Sequence, residues 1–394
     1  MSGIYIHIPF CKQACHYCDF HFSTSMKKKD EMVLALAKEI SMRKEEFKND
    51  IVETIYFGGG TPSILTIEDL RLLIDEVFKN YNVIENPEIT VEANPDDLSS
   101  DLSFRGTRTR AIANWRSNLF EELKAIGVNR LSIGIQSFFE DDLKMMNRAH
   151  NANEAKNCLE EATKHFDNIS LDLIYGIPGM SIEKWIQNIE TALSFGIPHI
   201  SSYALTVEPK TALHSFIQKG IIAQPEDEVA QEHFEILVEK LEEAGFIHYE
   251  LSNFGKENYF SKNNSSYWLG KKYIGIGPSA HSYDGEKRGW NVSNNTLYIK
   301  SIQEGKLPLE TETLSKTDRY NEYVMTGLRT IWGISLDRIQ TEFGQIYLDY
   351  LNQQAAKYIE DHLLFVDENI LRTTRKGKFL SDGIASDLFL LNLE

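Results

Sequence analysis

The feature that most constrains the fold of this chain is the alternation of short apolar, β-branched runs with longer amphipathic segments over its first two-thirds. Such alternation predicts an α/β fold whose parallel strands are joined by crossover helices. The six predicted strands cover residues 4–8, 54–57, 89–92, 130–135, 169–173 and 200–203. Six units in series favour a partial (β/α)6 barrel of the TIM-like type, with a flat doubly wound sheet as the alternative.

Beyond residue 224 the pattern changes, and it predicts three parts in all. A core barrel covers 1–224, a barrel extension covers 225–305, and a small α+β domain covers 306–394. The extension begins with a long amphipathic helix at 225–244 and continues into a Gly- and aromatic-rich stretch. Residues 99–118 are rich in Arg and longer than a usual βα connection, so we interpret them as an insertion without a catalytic role.

The overall charge limits the partners that the chain can bind. The formal net charge is -17 at pH 7, and nucleic-acid phosphates require Lys and Arg partners. The sequence has no apolar run of membrane-spanning length, and its first residues lack the basic and long apolar regions of a secretory signal, so we expect none. We therefore expect a cytoplasmic protein with no nucleic-acid partner and no transmembrane segment.

Polar or glycine-rich segments follow five consecutive predicted strands. They contain residues 11–18, 58–62, 92–94, 136 and 172. In a parallel barrel the carboxyl ends of the strands meet at one face, where functional residues collect. The sequence therefore predicts a single site at that face.

Three of the four cysteines, Cys11, Cys15 and Cys18, lie within eight residues in a C-x3-C-x2-C pattern. In a cytosolic chain this spacing is not a disulfide framework. A [4Fe–4S] cluster normally takes four Cys ligands, so three thiolates would hold a cluster and leave one iron open to a small molecule. The alternative is a structural Cys3His zinc site completed by a nearby histidine, His7, His16 or His21.

This cysteine pattern after the first strand of a βα barrel resembles the radical SAM superfamily. The resemblance implies that the open iron is chelated by the amino and carboxylate groups of S-adenosylmethionine (SAM). It also implies that the reduced cluster passes an electron to the SAM sulfonium, while the protein positions SAM and excludes competing chemistry.

Longer motifs are similar to a narrower group, the coproporphyrinogen III oxidase-like (HemN/HemW) family. The segments YIHIPFC, GGGTP, VEANP, RLSIGIQSF, DLIYGIPG and YELSNF match it in order, and the resemblance covers essentially the whole chain. It places the following residues at SAM-contacting positions: Tyr5, Tyr17, Gly59, Gly60, Thr61, Glu92, Gln136, Arg148, Asp172 and Ala204.

Two features indicate which branch of that family the chain resembles. The dehydrogenase branch has a further Cys two residues after the third, and Phe20 occupies that position here. The dehydrogenase also has a substantial segment before its cysteines, whereas ten residues precede Cys11. Both features are similar to the heme chaperone branch, HemW.

The chaperone resemblance implies a heme site as well. The HNxxYW motif associated with heme in that branch reads NNSSYW at 263–268. Imidazole is a good axial ligand for heme iron and a carboxamide is a poor one, so the ligand is lost, weakened or replaced. His281 and His248 are candidate replacements, with ordinary packing as the alternative for each. The heme-site candidates are Asn263, Asn264, Tyr267, Trp268 and His281.

We therefore expect a radical SAM protein that binds a [4Fe–4S] cluster, SAM and heme, and that transfers heme to an acceptor protein. The alternative is an oxygen-independent coproporphyrinogen III dehydrogenase of porphyrin biosynthesis, and a zinc-stabilised barrel is a third hypothesis. The expected partners are heme or porphyrin and the acceptor. The sequence leaves open a peripheral membrane contact, a homodimer and the cleavage of SAM.

Overall fold

The computed structural model describes residues 2–98 and 118–391, and every structural statement below concerns those residues. The predicted insertion at 99–118 lies outside them, except for its last residue. Six parallel strands form the centre of the fold: β1 Ser2–Ile8, β2 Val52–Gly59, β3 Val83–Ala93, β4 Arg130–Gln136, β5 Ile169–Tyr175 and β6 His199–Ala204.

These six strands lie side by side in sequence order, which is the order of a barrel. A doubly wound sheet would instead reverse its strand order at a switch point. The partial-barrel prediction is therefore confirmed, and the flat doubly wound alternative is wrong.

Six shorter strands extend both edges of this sheet. They are β7 Ile247–Glu250, β8 Asn253–Gly255, β9 Lys272–Ile276, β10 His281–Tyr283, β11 Lys287–Asn291 and β12 Leu309–Thr313. The β7–β8 hairpin pairs antiparallel with β6, and β9 runs parallel beside β1. The resulting twelve-stranded sheet ends in β12 on one side and β7 on the other, so hydrogen bonds do not close the barrel.

Helices connect the strands and cover the outside of the sheet. The longer ones are Lys29–Met42, Ile67–Asn80, Ala152–His165, Ile182–Ser194, Asp227–Glu243 and Asn295–Gln303. The helix Ile67–Asn80 shows why they form: Thr66 and Asp69 make a reciprocal capping box, and apolar residues recur along its buried face. Shorter helices are Pro95–Leu98, Leu119–Ala125, Glu140–Met145, Ala212–Gln218 and Lys262–Trp268. None of the described helices is both long and apolar enough to cross a membrane.

The last part of the chain has its own hydrophobic core. A three-stranded antiparallel sheet contains β13 Ile334–Ser335, β14 Leu364–Asp367 and β15 Ile370–Thr373, with β15 in the middle. The helices around it are Lys316–Leu328, Leu336–Arg338, Gln345–Glu360, Arg375–Lys378 and Ser381–Asp387, with a π-helical turn at Ile339–Phe343. Its buried residues begin at Tyr320, whereas the barrel core ends at Ile302.

Because side chains alternate along a strand, every second residue of β1 to β6 points into the barrel. On β3 and β4 these positions carry polar residues, and Thr90 and Arg130 are almost fully buried there. The interior of the barrel is therefore polar, which suits a ligand site more than a packed aliphatic core.

Candidate functional site

A cavity of about 450 Å³ lies at the carboxyl ends of the six parallel strands. Its wall combines the cysteine loop with residues from the ends of β2 to β6. All of the residues predicted to hold the cluster or SAM line this cavity except Tyr5: Cys11, Cys15, Cys18, Tyr17, Gly59, Gly60, Thr61, Glu92, Gln136, Arg148, Asp172 and Ala204. Residues separated by almost two hundred positions thus meet at one face.

The cysteine loop is fastened to the segment that follows the helix Glu140–Met145. The side-chain amide of Gln13 donates to the backbone oxygen and to Oδ1 of Asn147, at 2.9 and 2.8 Å. The ring Nδ1 of His16 lies 2.8 Å from the carbonyl oxygen of Met145. These contacts hold the loop so that its three partly exposed thiols face the cavity.

The histidines near the thiols bear on the zinc alternative. A zinc ion needs its ligands within about 2.0–2.3 Å of one point. Across the described ranges, no three His, Cys, Asp or Glu side chains are grouped so as to hold one metal ion. His7 and His21, offered above as zinc ligands, are instead hydrogen-bonded to the His21 carbonyl and to Asn295.

Arg148 joins the cysteine loop to the barrel wall. Its Nη2 donates to Asn94 Oδ1 at 2.6 Å and to the carbonyl of Gly134 at 2.8 Å. Its Nη1 lies 3.4 Å from Cys15 Sγ and 3.5 Å from the Tyr17 hydroxyl. A fixed guanidinium beside a thiol stabilises the thiolate that iron requires. Because this contact places a positive charge beside a thiol, the residues present fit an anionic cluster.

The glycine run at the end of β2 leaves backbone exposed where a side chain could not fit. Gly59 has φ +104°, and a Cβ there would collide with the ring of His7. A Cβ on Gly60 would lie 2.6 Å from the carbonyl oxygen of Phe10. Both positions therefore require glycine, and both line the cavity.

Two carboxyl groups in the cavity wall have raised pKa values. Burial raises the pKa of Glu92 to about 7, although hydrogen bonds from the Tyr56 hydroxyl (2.8 Å) and the Gly59 amide (3.2 Å) oppose the shift. Burial likewise raises the pKa of Asp172 to about 6. Charge repulsion from Asp172 adds to the effect of burial on the pKa of Glu92.

Tyr56 supports Glu92, although it was not among the residues predicted from the sequence. Its ring stacks beside that of Tyr5, with centroids 6.1 Å apart, in the layer below the cavity. Tyr5 in turn places its hydroxyl 3.2 Å from His7 Nδ1. The alternation of β2 could have revealed Tyr56, because it lies two residues before Gly58 on the inward-facing side.

The first residue of the NNSSYW segment lies at the opposite end of the barrel. Asn263 is 3% exposed, and its Oδ1 accepts a hydrogen bond from Thr54 Oγ1 at 3.0 Å. The backbone N–H groups of Lys262 and Asn263 donate to the Glu88 carboxylate. The helix Lys262–Trp268 therefore closes the amino-terminal end of the barrel, and Asn264 occupies a half-buried position in its first turn.

The remaining heme-site candidates each have different neighbours. The ring of Tyr267 meets that of Tyr273 edge-on at 4.5 Å, and the Arg329 guanidinium lies 5.1 Å from the Trp268 ring. His281 is exposed, with its ring 6.3 Å from that of Trp290.

His248 occupies a core position. It is 3% exposed and stacks on Phe254 at 4.1 Å, with its Nε2 3.1 Å from the carbonyl oxygen of Leu251. Burial lowers its pKa to about 3, so the ring is neutral at physiological pH. The packing alternative therefore describes His248 well.

A second cavity, of about 500 Å³, lies between the barrel and the C-terminal part. Of the heme-site candidates, Tyr267 lines it, together with residues of β9, β10 and β11. Its other wall is the helix Lys316–Leu328, which contributes Arg319, Glu322, Tyr323 and Thr326. These four residues were not predicted from the sequence to line a site, although their spacing places them on one face of a helix.

Two family models match the chain. The model described as the radical SAM superfamily matches residues 5–192, and that described as the HemN C-terminal domain matches residues 314–380. A protein named heme chaperone HemW from Bacillus subtilis (strain 168) is 36% identical over 389 residues, covering 98% of each chain. A protein of the same name from Mycobacterium tuberculosis (strain ATCC 25618 / H37Rv) is 32% identical over 392 residues, covering 98% of this chain and 94% of the relative.

Among solved structures, that of coproporphyrinogen III oxidase (HemN) from Escherichia coli is similar with a TM-score of 0.81. It covers 98% of this chain and 90% of the other, at 22% sequence identity. This likeness concerns the fold.

Proposed function

Because the chain belongs to the HemW family of heme chaperones within the radical SAM superfamily, we propose that it binds heme and transfers it to an acceptor protein. The observation that carries the proposal is the extent of the similarity to proteins named heme chaperone. It runs at 36% identity through 98% of both chains, and so includes the cysteine loop, the NNSSYW segment and the C-terminal part.

Membership of the radical SAM superfamily implies a [4Fe–4S] cluster and SAM. Cys11, Cys15 and Cys18 would hold the cluster, which when bound supplies the electron for SAM chemistry. The chain's own part is positional. Gly59 and Gly60 leave the backbone open to the methionine end of SAM, and Glu92 offers its carboxylate to the ribose hydroxyls.

Heme is the cargo in this proposal. The candidates Asn263, Asn264, Tyr267, Trp268 and His281 stay predictions, and Tyr267 has the best support because its ring lines the second cavity. We place the activity in the cytoplasm. The acceptor, a homodimer and a peripheral membrane contact stay predictions from the sequence.

The test is a hemin titration of the anaerobically reconstituted protein, followed by its Soret band. We expect saturable binding with a defined Soret shift, and then transfer of the bound heme to a heme-free globin as a generic acceptor. A variant with all three cluster cysteines changed to Ala separates heme binding from the need for the cluster.

The same preparation distinguishes the enzyme alternative. Incubation with SAM, a reductant and coproporphyrinogen III should leave the tetrapyrrole unchanged. Conversion to protoporphyrinogen, or a parent protein that binds no heme, would overturn the chaperone proposal.

A further inference from the structure

We propose that the second cavity, between β9–β11 and the helix Lys316–Leu328, is the heme site, and that Arg319 pairs there with a heme propionate. This inference rests on the proposed function, which it deepens by assigning a place and residues. We call this cavity the aromatic groove. It is lined by rings on both walls: Tyr267, Tyr273 and Tyr283 on the barrel side, and Tyr323, Phe343 and Phe389 on the other.

Space is the first argument. The cavity at the strand ends measures about 450 Å³ and must hold both the cluster and SAM. The aromatic groove measures about 500 Å³, within the roughly 300–1,000 Å³ usual for small-molecule sites, and it shares no lining residue with the first cavity. Heme can therefore bind while the cluster and SAM stay in place.

The shape of the lining is the second argument. A heme is a flat, largely apolar macrocycle, and aromatic rings offer it large contact areas at little cost in side-chain entropy. On the barrel wall, the rings of Tyr267 and Tyr273 meet at 4.5 Å. On the opposite wall, the rings of Tyr323 and Phe343 are nearly parallel, at an angle of 20°. Rings on both walls suit a planar ligand that lies between them.

Charge is the third argument. Two of the three arginines in the groove are already paired, Arg288 with Glu322 at 2.7 Å and Arg338 with Glu342 at 3.0 Å. Arg319 has no acidic partner within 4.0 Å in the described ranges, and its Nε is buried without a hydrogen bond.

Arg319 is half-buried, and an anionic ligand would pair its charge and satisfy the Nε group that lacks a hydrogen bond. The two carboxylates of heme supply such an anion, whereas the flat core of the macrocycle accounts for the rings. Charge and shape together therefore favour a flat carboxylate-bearing ligand over a purely apolar one.

The helix Lys316–Leu328 lines the groove with one face and packs into the core of the C-terminal part with the other. Arg319, Tyr323 and Thr326 lie on the side facing the groove. Tyr320 and Val324, one position along, are fully buried in the core of the C-terminal part. The groove face is therefore held rigidly by the packing of the opposite face.

The experiment compares hemin with hemin dimethyl ester, in which both carboxylates are blocked. Arg319→Gln should weaken hemin binding about tenfold, as expected for loss of a charge-assisted hydrogen bond, and leave binding of the ester unchanged. Arg375→Gln, which removes an exposed arginine outside the groove, is the matched control. Thr326→Trp should block both ligands by filling the groove, whereas Thr326→Ala should not.

Iron and sulfide content of each variant reports whether its fold and cluster are intact. If the parent binds hemin and both Arg319→Gln and Thr326→Trp bind it equally well, heme lies elsewhere and this inference fails while the proposed function stands. If Arg319→Gln weakens hemin and its ester alike, the propionate pairing is wrong. A parent that binds no hemin overturns the proposed function itself.

Discussion

At the scale of single residues, the cavity at the strand ends brings together an arginine, the cysteine thiols and two buried carboxyl groups. Arg148 holds a positive charge beside Cys15, at 3.4 Å. Glu92 and Asp172 line the same wall with pKa values raised by burial. The thiols therefore have a cation near them, whereas burial makes ionisation of the two carboxyls less favourable than in water. This division suits a site that must accept an anionic cluster and the zwitterionic methionine end of SAM.

Replacing Glu92 by Gln should change how the stability of the cluster-free protein depends on pH. The folded-state pKa of Glu92 is about 7, above the ordinary 4.5, so the stability it contributes is full below pH 4.5 and is lost as the pH rises to about 7. Gln resembles the protonated carboxyl and does not ionise. We expect Glu92→Gln to match the parent near pH 4.5 and to exceed its free energy of unfolding at pH 8 by on the order of 3 kcal/mol.

Urea unfolding at several pH values measures this difference, and Glu257→Gln on the surface is the control. A difference that does not grow between pH 4.5 and 8 would show that the Glu92 carboxyl titrates normally. The same variant should also bind SAM more weakly, since it loses the carboxylate offered to the ribose.

The sequence predicted which residues would meet at this cavity because they stand at strand ends, where spacing determines which of them come together, whereas their roles stay predictions. Cys11, Gly59 and Gln136 are examples. Tyr56 and Arg319 were missed for a physical reason. Each is an ordinary residue within a regular element, and only tertiary packing shows that one supports Glu92 and the other lacks a partner.

At the scale of elements, periodicity predicted all six parallel strands. The long amphipathic helix predicted at 225–244 is the helix Asp227–Glu243. β3 begins at Val83, six residues earlier than predicted, because the half-buried Val83 and Ile84 are followed by the exposed Glu85 and Asn86, which interrupt any apolar alternation. The edge strands β7 to β12 were not found, since they are short and pair with partners distant in sequence, as β9 does with β1.

The helix Lys262–Trp268 yields a prediction about the substituted motif residue. Asn263 is 3% exposed and hydrogen-bonded to Thr54, and a Cβ on Gly3 would lie 3.4 Å from its Oδ1. We expect Asn263→His to overpack this site, lowering the free energy of unfolding by about 1–3 kcal/mol, without giving the heme iron a new ligand. Thermal unfolding and the Soret spectrum of the hemin complex measure the two effects.

Asn264→His places the same ring one position along the helix, where the residue is half-buried, and serves as the control. A low-spin Soret spectrum that arises in Asn263→His alone would contradict this prediction. It would mean that the helix can turn its first residue out of the barrel and present an imidazole to heme.

At the scale of the whole molecule, two hydrophobic cores are joined by polar and aromatic contacts. The barrel core ends at Ile302 and the C-terminal core begins at Tyr320. Between them the Arg288–Glu322 ion pair crosses the aromatic groove, and Lys378 donates to the carbonyl of His248. A ligand in the groove would touch both parts at once and add to these contacts.

Heme binding should therefore stabilise the C-terminal part selectively against opening. A ligand that binds only the closed groove stabilises it by RT ln(1 + [L]/Kd), about 2.7 kcal/mol at a free concentration of 100 Kd. Amides of the helix Lys316–Leu328 that exchange by detachment of this part should slow by up to about 100-fold on adding heme. Amides of β1 to β3, which lie in the barrel core, should not change.

Hydrogen exchange with and without hemin measures both sets, and Arg319→Gln at the same hemin concentration should reduce the protection. Slowing confined to the strands of the barrel would place heme in the SAM cavity and leave the groove without its ligand.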